Sequence, residues 1–461
     1  MKTMKEKVIA VFEIGKFSKK LLMFNHGLIL IEEYEEKFPM IKDEDGFECD
    51  DIEMIEKWVK KSVSNLIHSS IWDLIAVNFT TYGPAVVFLD SHGKPLNQLY
   101  NQSKPIDISI PGLLYERYGG KEEFCLQTGS PAMGMNNSGI QILWFKHTNP
   151  EQFSRTRNIL HLPQYLSYSL SGMMNSELTS VGCYSALWDF DIMNYHKWVR
   201  DESLPFPDFK PSGEAIEIKI EGKNIFVGSG LQRTPASLVP LSGSGTGEFI
   251  LVLTGDEFIS LNPFNDERLT DFQLANGCFC YLSHDMKQIK SSRYALGQLH
   301  DSVLDKMSRY FKIQTDSFKL IKPDIRLFNK LSIKFRDKQV FLKDGAYPRE
   351  LKEDPDLFEF DHFVEAYHQL MIELADMTLD SINLVIPENE NLNSLILAGR
   401  FSANDLFVKL IASSYPHLRV FTTDYKYISG LGVAHLIYNS VFKEDTPRLE
   451  IDLKECTVGR G

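Results

Sequence analysis

The chain uses one opening plan twice. An apolar run at 7–12 is followed by a turn carrying Gly15, by further apolar runs at 20–24 and 28–34, and then by a helical stretch. From residue 249 the plan returns: apolar residues at 249–254, a turn at Gly255-Asp256, runs at 258–261 and 278–282, and a helix expected over about 292–311. Short apolar runs bounded by turn residues read as strands. Between 50 and 69, Ile52, Ile55, Val59, Val63 and Leu66 recur at spacings of three and four, which predicts a helix with Asp50 or Asp51 as its N-cap. The duplication is one of pattern, not of residue identity. Two such units require two sheets, and the place where they meet is a favoured ligand site. A strand–glycine turn–strand also aims backbone N–H groups at one spot, which suits phosphate.

Further strands are predicted at 73–79, 86–89, 224–227, 393–398 and 419–422, and helices at 139–146, 161–169, 363–385, 403–414 and 430–442. Their alternation predicts an α/β architecture with a partly parallel sheet. The segment Leu-Ser-Gly-Ser-Gly-Thr-Gly at 241–247 is the most linker-like stretch. It divides the chain into expected domains 1–243 and 244–461. Residues 312–356, rich in Lys and Asp with little periodicity, read as an insertion to which no function attaches.

Bulk properties exclude several classes. The chain has 461 residues, 62 acidic against 49 basic, and a formal charge of −13. That balance argues against a protein built to coat nucleic acid or an anionic membrane. With 43% hydrophobic and 24% charged residues the composition is that of a globular protein. The six cysteines are scattered without a Cys-x-x-Cys pair, so no structural zinc site is expected, and Cys278 and Cys280 read as reduced core residues of a strand. The apolar run at 8–12 ends at Glu13, too short for a signal segment, and no stretch approaches the ~20 apolar residues of a membrane span. A soluble cytoplasmic protein is the expectation.

Four landmarks follow in order. They are Phe12-Glu13-Ile14-Gly15-Lys16, then Gly230-Leu231-Gln232-Arg233-Thr234-Pro235-Ala236, then Leu253-Thr254-Gly255-Asp256-Glu257, and finally Ala398-Gly399-Arg400-Phe401-Ser402-Ala403-Asn404. Their order and spacing resemble the FGGY family of carbohydrate kinases, within the larger group of actin-like, sugar-kinase and Hsp70-type ATPase folds. Softer matches at 90–95, 141–146, 180–189 and 260–265 agree. The resemblance implies two actin-like (ribonuclease H-like) domains facing a central cleft, with sugar held by the first and ATP with Mg²⁺ mainly by the second. It implies ATP-dependent phosphoryl transfer to a sugar hydroxyl. Carried over residue by residue, it places nucleotide contacts at Gly15, Lys16, Thr254, Gly255, Asp256, Gly399, Arg400 and Asn404. Sugar contacts fall at Tyr82, Gly83, Asn101 and Gln102. Arg233 occupies the position of the catalytic base, and Glu13 that of a catalytic and Mg²⁺-holding carboxylate.

Those positions depart from the family's chemistry. Arg233 replaces an Asp, and a guanidinium cannot act as a base. Asp256 and Glu257 replace Thr and Trp in the second phosphate loop, where two carboxylates repel phosphate unless a metal lies between them. Arg400 replaces a glycine and is long enough to fill the adenine slot. The opposite signs of these changes predict that Arg233 pairs with Asp256 or Glu257 across the cleft. Simpler readings stand beside these. Arg233 could be a surface arginine, Asp256-Glu257 an ordinary hairpin turn, and Arg400 a side chain swung into solvent. Tyr82, Trp144 and Trp188 could be core aromatics. Asn101, Gln102 and Lys104 could form a solvated loop, and Lys19-Lys20 a solvated strand end. The family predicts a kinase. The substitutions set against it a catalytically impaired sugar-binding or regulatory relative. An actin-like filament protein fits less well, having no need of the matches at 141–146 and 180–189. The expected partner is a small sugar, with neither nucleic acid nor membrane. The particular sugar and the oligomeric state, a homodimer included, stay open.

Overall fold

A computed structural model of the chain describes residues 5–242, 244–336, 338–343, 352–387, 392–449 and 451–457. Val8 to Ile14 are buried without interruption in the strand Glu6–Ile14, as a strand covered on both faces requires. It pairs antiparallel with Lys19–Asn25 and parallel with Trp72–Thr81. Around them runs a seven-stranded sheet in the order Ala215–Ile220, Lys223–Gly228, Trp72–Thr81, Glu6–Ile14, Lys19–Asn25, Leu30–Glu36, with Leu231–Gln232 also pairing Trp72–Thr81. The helix Ile52–Ile67 lays Ile55, Val59 and Val63 on one face of the sheet, against Val8, Ala10 and Phe12. Asp51 is its N-cap, its Oδ1 accepting from Met54 N at 3.0 Å. The opposite face, carrying Ile9, Val11, Leu22 and Phe24, is covered by Leu431, Val433, Ala434 and Ile437 of the helix Ile428–Phe442.

A second seven-stranded sheet repeats the plan in the order Cys278–Leu282, Gln288–Tyr294, Phe258–Asn262, Phe249–Thr254, Ser394–Gly399, Arg419–Thr423, Lys454–Glu455. Three consecutive strands, Phe249–Thr254, Ser394–Gly399 and Arg419–Thr423, are parallel. Both sheets combine an antiparallel opening hairpin with parallel partners from later in the chain.

Several expectations change. Residues 292–294 belong to the strand Gln288–Tyr294, and the helix begins only at Leu296. That strand, not Cys278–Leu282, is the neighbour of Phe258–Asn262. Two strands carry no strong sequence signal. Ala215–Ile220 is a half-exposed edge, and Asn158–His161 has four residues in a separate ribbon with Val86–Leu89. Part of the supposed insertion is ordered helix: Ile325–Lys334 packs on Phe363–Asn383. Residues 337 and 344–351 of that insertion, and Gly243 at the expected domain boundary, lie outside the described residues. Lys19 is no solvated strand end; it is 1% exposed, and its Nζ donates to Asp50 Oδ1 at 2.6 Å. Lys104 is likewise buried, on Asp43 at 2.6 Å and under the Trp144 ring.

The free edge of the second sheet is stitched to the first half of the chain. Cys280 N donates to Gly129 O (2.8 Å), Leu282 N to Gly182 O (3.0 Å), and Tyr184 N to Cys280 O (3.3 Å). Arg268 adds ion pairs to Glu123 and Asp191. All six cysteines are unpaired. Among the described residues no helix is long and apolar enough to cross a membrane.

Candidate active site

The carboxyl ends of parallel strands converge from both sheets, the usual place for a ligand in α/β folds. In the first sheet, Glu13 and Ile14 lie beside Thr80 and Thr81, which in turn neighbour Leu231 and Gln232. Gly15, Tyr82 and Arg233 therefore leave three adjacent strand ends. In the second sheet, Thr254 is level with Gly399. Between them lies a cavity of about 480 Å³.

Tight backbone turns build both walls. Gly15 N donates to Ser18 O at 2.9 Å, and a Cβ on Gly15 would lie 2.9 Å from that same oxygen. The turn 255–257 joins Phe249–Thr254 to Phe258–Asn262, with Gly255 N on Glu257 O at 3.1 Å. The helix Leu296–Phe311 abuts it: Gln298 N donates to Asp256 O, and a Cβ on Gly297 would fall 2.0 Å from Gly255 O. Gly399 has φ +101°, a conformation open to glycine, and a Cβ there would lie 2.7 Å from Thr254 O. The Thr254 hydroxyl ties the two strands, donating to Ala398 O and accepting from Phe401 N.

Most of the sequence-predicted residues meet here. Lys16, Tyr82, Gly83, Gln102 and Arg233 line the cleft from the first half of the chain. Thr254, Gly255, Asp256, Gly399 and Arg400 line it from the second. Glu13 sits just behind the lining, 3% exposed. Asn101 does not line the cavity; its Oδ1 accepts from Ser103 N in a surface turn. Asn404 is spent as the N-cap of the helix Asp405–Ser414, with its Nδ2 on the Tyr367 hydroxyl. Tyr82 is both core and lining, its hydroxyl donating to Asp50 Oδ2 at 2.8 Å. Burial first, and then the Asp50 carboxylate, push this phenol well up, so it remains a donor.

The expected pairing of Arg233 with Asp256 or Glu257 is not the one formed. Arg233 Nη2 faces Glu13 Oε1 at 3.4 Å, while Ser429 Oγ donates to Glu13 Oε2 at 2.7 Å. Glu257 instead meets Arg293 at 3.6 Å. Arg400 neither swings free nor stands alone: it binds Asp301 Oδ2 (2.9 Å) and Gly297 O (3.1 Å) at the start of the helix Leu296–Phe311. Arg293, Tyr184 and Asn136 escaped the sequence reading. Arg293 was hidden because its strand reads as the start of a helix; only the register opposite Ile259 brings it to the cleft. Its guanidinium lies over the rings of Tyr184 and Phe279, 5.3 Å from each centroid.

The fold is that of two-domain actin-like sugar kinases. Over 98% of this chain and 94% of the other, it superposes on a carbohydrate kinase from Novosphingobium aromaticivorans with TM-score 0.78 at 19% identity. A ligand-bound xylulose kinase from Lactobacillus acidophilus gives TM-score 0.75 at 12% identity, over 96% of this chain and 91% of that one. Residues 8–216 match the N-terminal domain of the FGGY family of carbohydrate kinases. In sequence it is 24% identical over 186 residues to a rhamnulokinase of Halalkalibacterium halodurans, a match covering 39% of this chain and 38% of that protein. The aligned stretch thus spans about two fifths of the curated relatives' length.

The kinase family whose N-terminal domain residues 8–216 match uses ATP as phosphoryl donor, with Mg²⁺ its usual companion. The residues present here fit that pair poorly. Both oxygens of Glu13 are engaged, one by a cation. The Gly15 and Gly255 amides are bonded within their own turns. The second turn presents two carboxylates, and Arg400 is tethered beside Gly399.

Proposed function

We propose that this protein is a sugar-binding member of the kinase fold in which phosphoryl transfer from ATP is lost or strongly reduced. The observation that carries the reading is the ion pair of Arg233 with Glu13. In this reading a permanent cation stands at the position of the family's base, against the carboxylate at the position that holds Mg²⁺ in the family. Losing a positioned base alone costs about 10²–10⁴ in rate. The cleft itself is retained, with Tyr82, Gly83 and Gln102 on its sugar side. In this reading residues 1–243 form the sugar-side domain and 244–461 the domain derived from a nucleotide-binding one. Six unpaired cysteines support a reducing, cytoplasmic setting.

Calorimetry tests it. The full chain is titrated with Mg-ATP, with and without rhamnulose, xylulose, glycerol or gluconate, and ADP release is followed in parallel. Sugar binding without ATP binding is the expected result. ATP binding with sugar-dependent ADP formation overturns the reading. The double substitution Arg233→Asp with Asp256→Thr is expected to raise turnover; no gain would mean that Arg400 and the other changes dominate.

A further inference from the structure

Resting on the reading that ATP transfer is lost, we propose that the cleft's ligand is a sugar phosphate, recognised in preference to the free sugar. Charge gives the first argument. The chain as a whole is strongly acidic, at −13, yet the cleft is lined by five basic side chains and only two carboxylates. Glu13, Asp301 and Glu33, the partners of Arg233, Arg400 and Lys426, lie behind the lining, so the groups that a ligand in the cavity meets are more often basic than acidic.

The second argument is the state of the guanidiniums. Arg233 and Arg293 face the cavity from opposite sides of the cleft, and their ion pairs are long, at 3.4 Å to Glu13 and 3.6 Å to Glu257. A closed arginine–carboxylate fork is shorter, about 2.7–2.9 Å, and uses two N–H groups. Each arginine carries five donors, so neither pair exhausts its group. The rings of Tyr184 and Phe279 and the Met133 Sδ, 3.2 Å from Nη2, surround the Arg293 guanidinium, and the side chain is 15% exposed. A planar, pre-positioned guanidinium is suited to phosphate oxygens.

The third argument concerns hydroxyl recognition. Gln102 Nε2 and Asn136 Oδ1 are buried at the cavity wall without a hydrogen-bond partner. Buried amide groups left unmet are costly, and a polyol supplies both donors and acceptors. The two amides thus read a sugar ring or chain while the arginines read its anionic group. Inorganic phosphate would satisfy only the arginines, and a free sugar only the amides.

The experiment is equilibrium binding by calorimetry on the full chain. The probes are rhamnulose 1-phosphate, xylulose 5-phosphate, their free sugars, gluconate and inorganic phosphate, with Mg-ATP as a separate titrant. At least one sugar phosphate is expected to bind tenfold or more tightly than its free sugar and than inorganic phosphate. Arg233→Gln and Arg293→Gln are each expected to reduce that preference tenfold or more. Gln102→Leu should weaken phosphate ester and free sugar by the same factor. Arg233 is half exposed, so its variant serves should the Arg293 variant misfold. Equal binding of free sugar and ester overturns the proposal, as does tighter binding of gluconate, equal binding of inorganic phosphate, or an unchanged preference in the Arg233→Gln protein. ATP binding with turnover would instead overturn the underlying reading, so the two failures are separable.

Discussion

His161 is 4% exposed at the end of the strand Asn158–His161, with Nε2 3.2 Å from Ser138 Oγ. Burial pushes its imidazole down to about 3. Below the unfolded value near 6.5 the unfolded chain takes up a proton that the folded one refuses. This residue's contribution is therefore fully present above pH ~6.5 and is lost as pH falls toward 3, with a slope approaching about 1.4 kcal/mol per pH unit. Glu177, raised by burial, works in the opposite direction above its ordinary range, so the comparison must be made with a variant. Urea unfolding at pH 7.5, 6 and 5 should show a shallower acid loss in His161→Gln than in the parent; parallel curves would refute the assignment. At this scale the sequence was readable in identity but not in partnership. Arg233 stood out as a cation in a base position, yet its partner, Glu13, lies 220 positions earlier in the chain, and only strand register brings the two together.

Among elements, the helix Ile52–Ile67 was legible because its period and its cap are local. Asp51→Ala should cost about 1 kcal/mol, measurable as a shift in unfolding midpoint, and should leave the rest of the molecule undisturbed. The strand Cys278–Leu282 is the contrary case. It reads as an ordinary buried strand, but its outer edge bonds to Gly129, Gly182 and Tyr184. Gly182 has φ −88°, so alanine is conformationally acceptable there. Its Cβ would nevertheless lie 2.1 Å from Leu282 Cβ. Gly182→Ala should therefore destabilise by about 1–3 kcal/mol through overpacking. Unlike Asp51→Ala, it should also accelerate amide exchange at Leu282, whose N–H bonds Gly182 O. Unchanged exchange at that amide would show that the seam is not a mechanical tie between the halves.

For the whole molecule, the decisive contact is between the chain's last long helix and its first strands. Ile428–Phe442 supplies the cover for Ile9, Val11, Leu22 and Ala76. It is held by Asn78 Nδ2 on Val433 O at 3.1 Å, and a Cβ on Gly432 would strike Ala236 O at 2.0 Å. A fragment of residues 1–243 would expose that apolar face. It should lack the cooperative thermal transition of the full chain and be rapidly proteolysed; a fragment melting at the parent's midpoint would contradict this. The sequence by itself determined what local chemistry can determine: apolar runs that must be strands, glycines at turns, one well-capped helix, and the order of four loops that resembles a sugar-kinase fold. The tertiary structure decided the rest. It placed Arg233 on Glu13 instead of Asp256, brought Arg293 into the cleft, buried Lys19 and returned the C-terminal helix to the N-terminal sheet. These are contacts between distant segments, set by sheet register and by which apolar faces need covering, and no window of neighbouring residues encodes them.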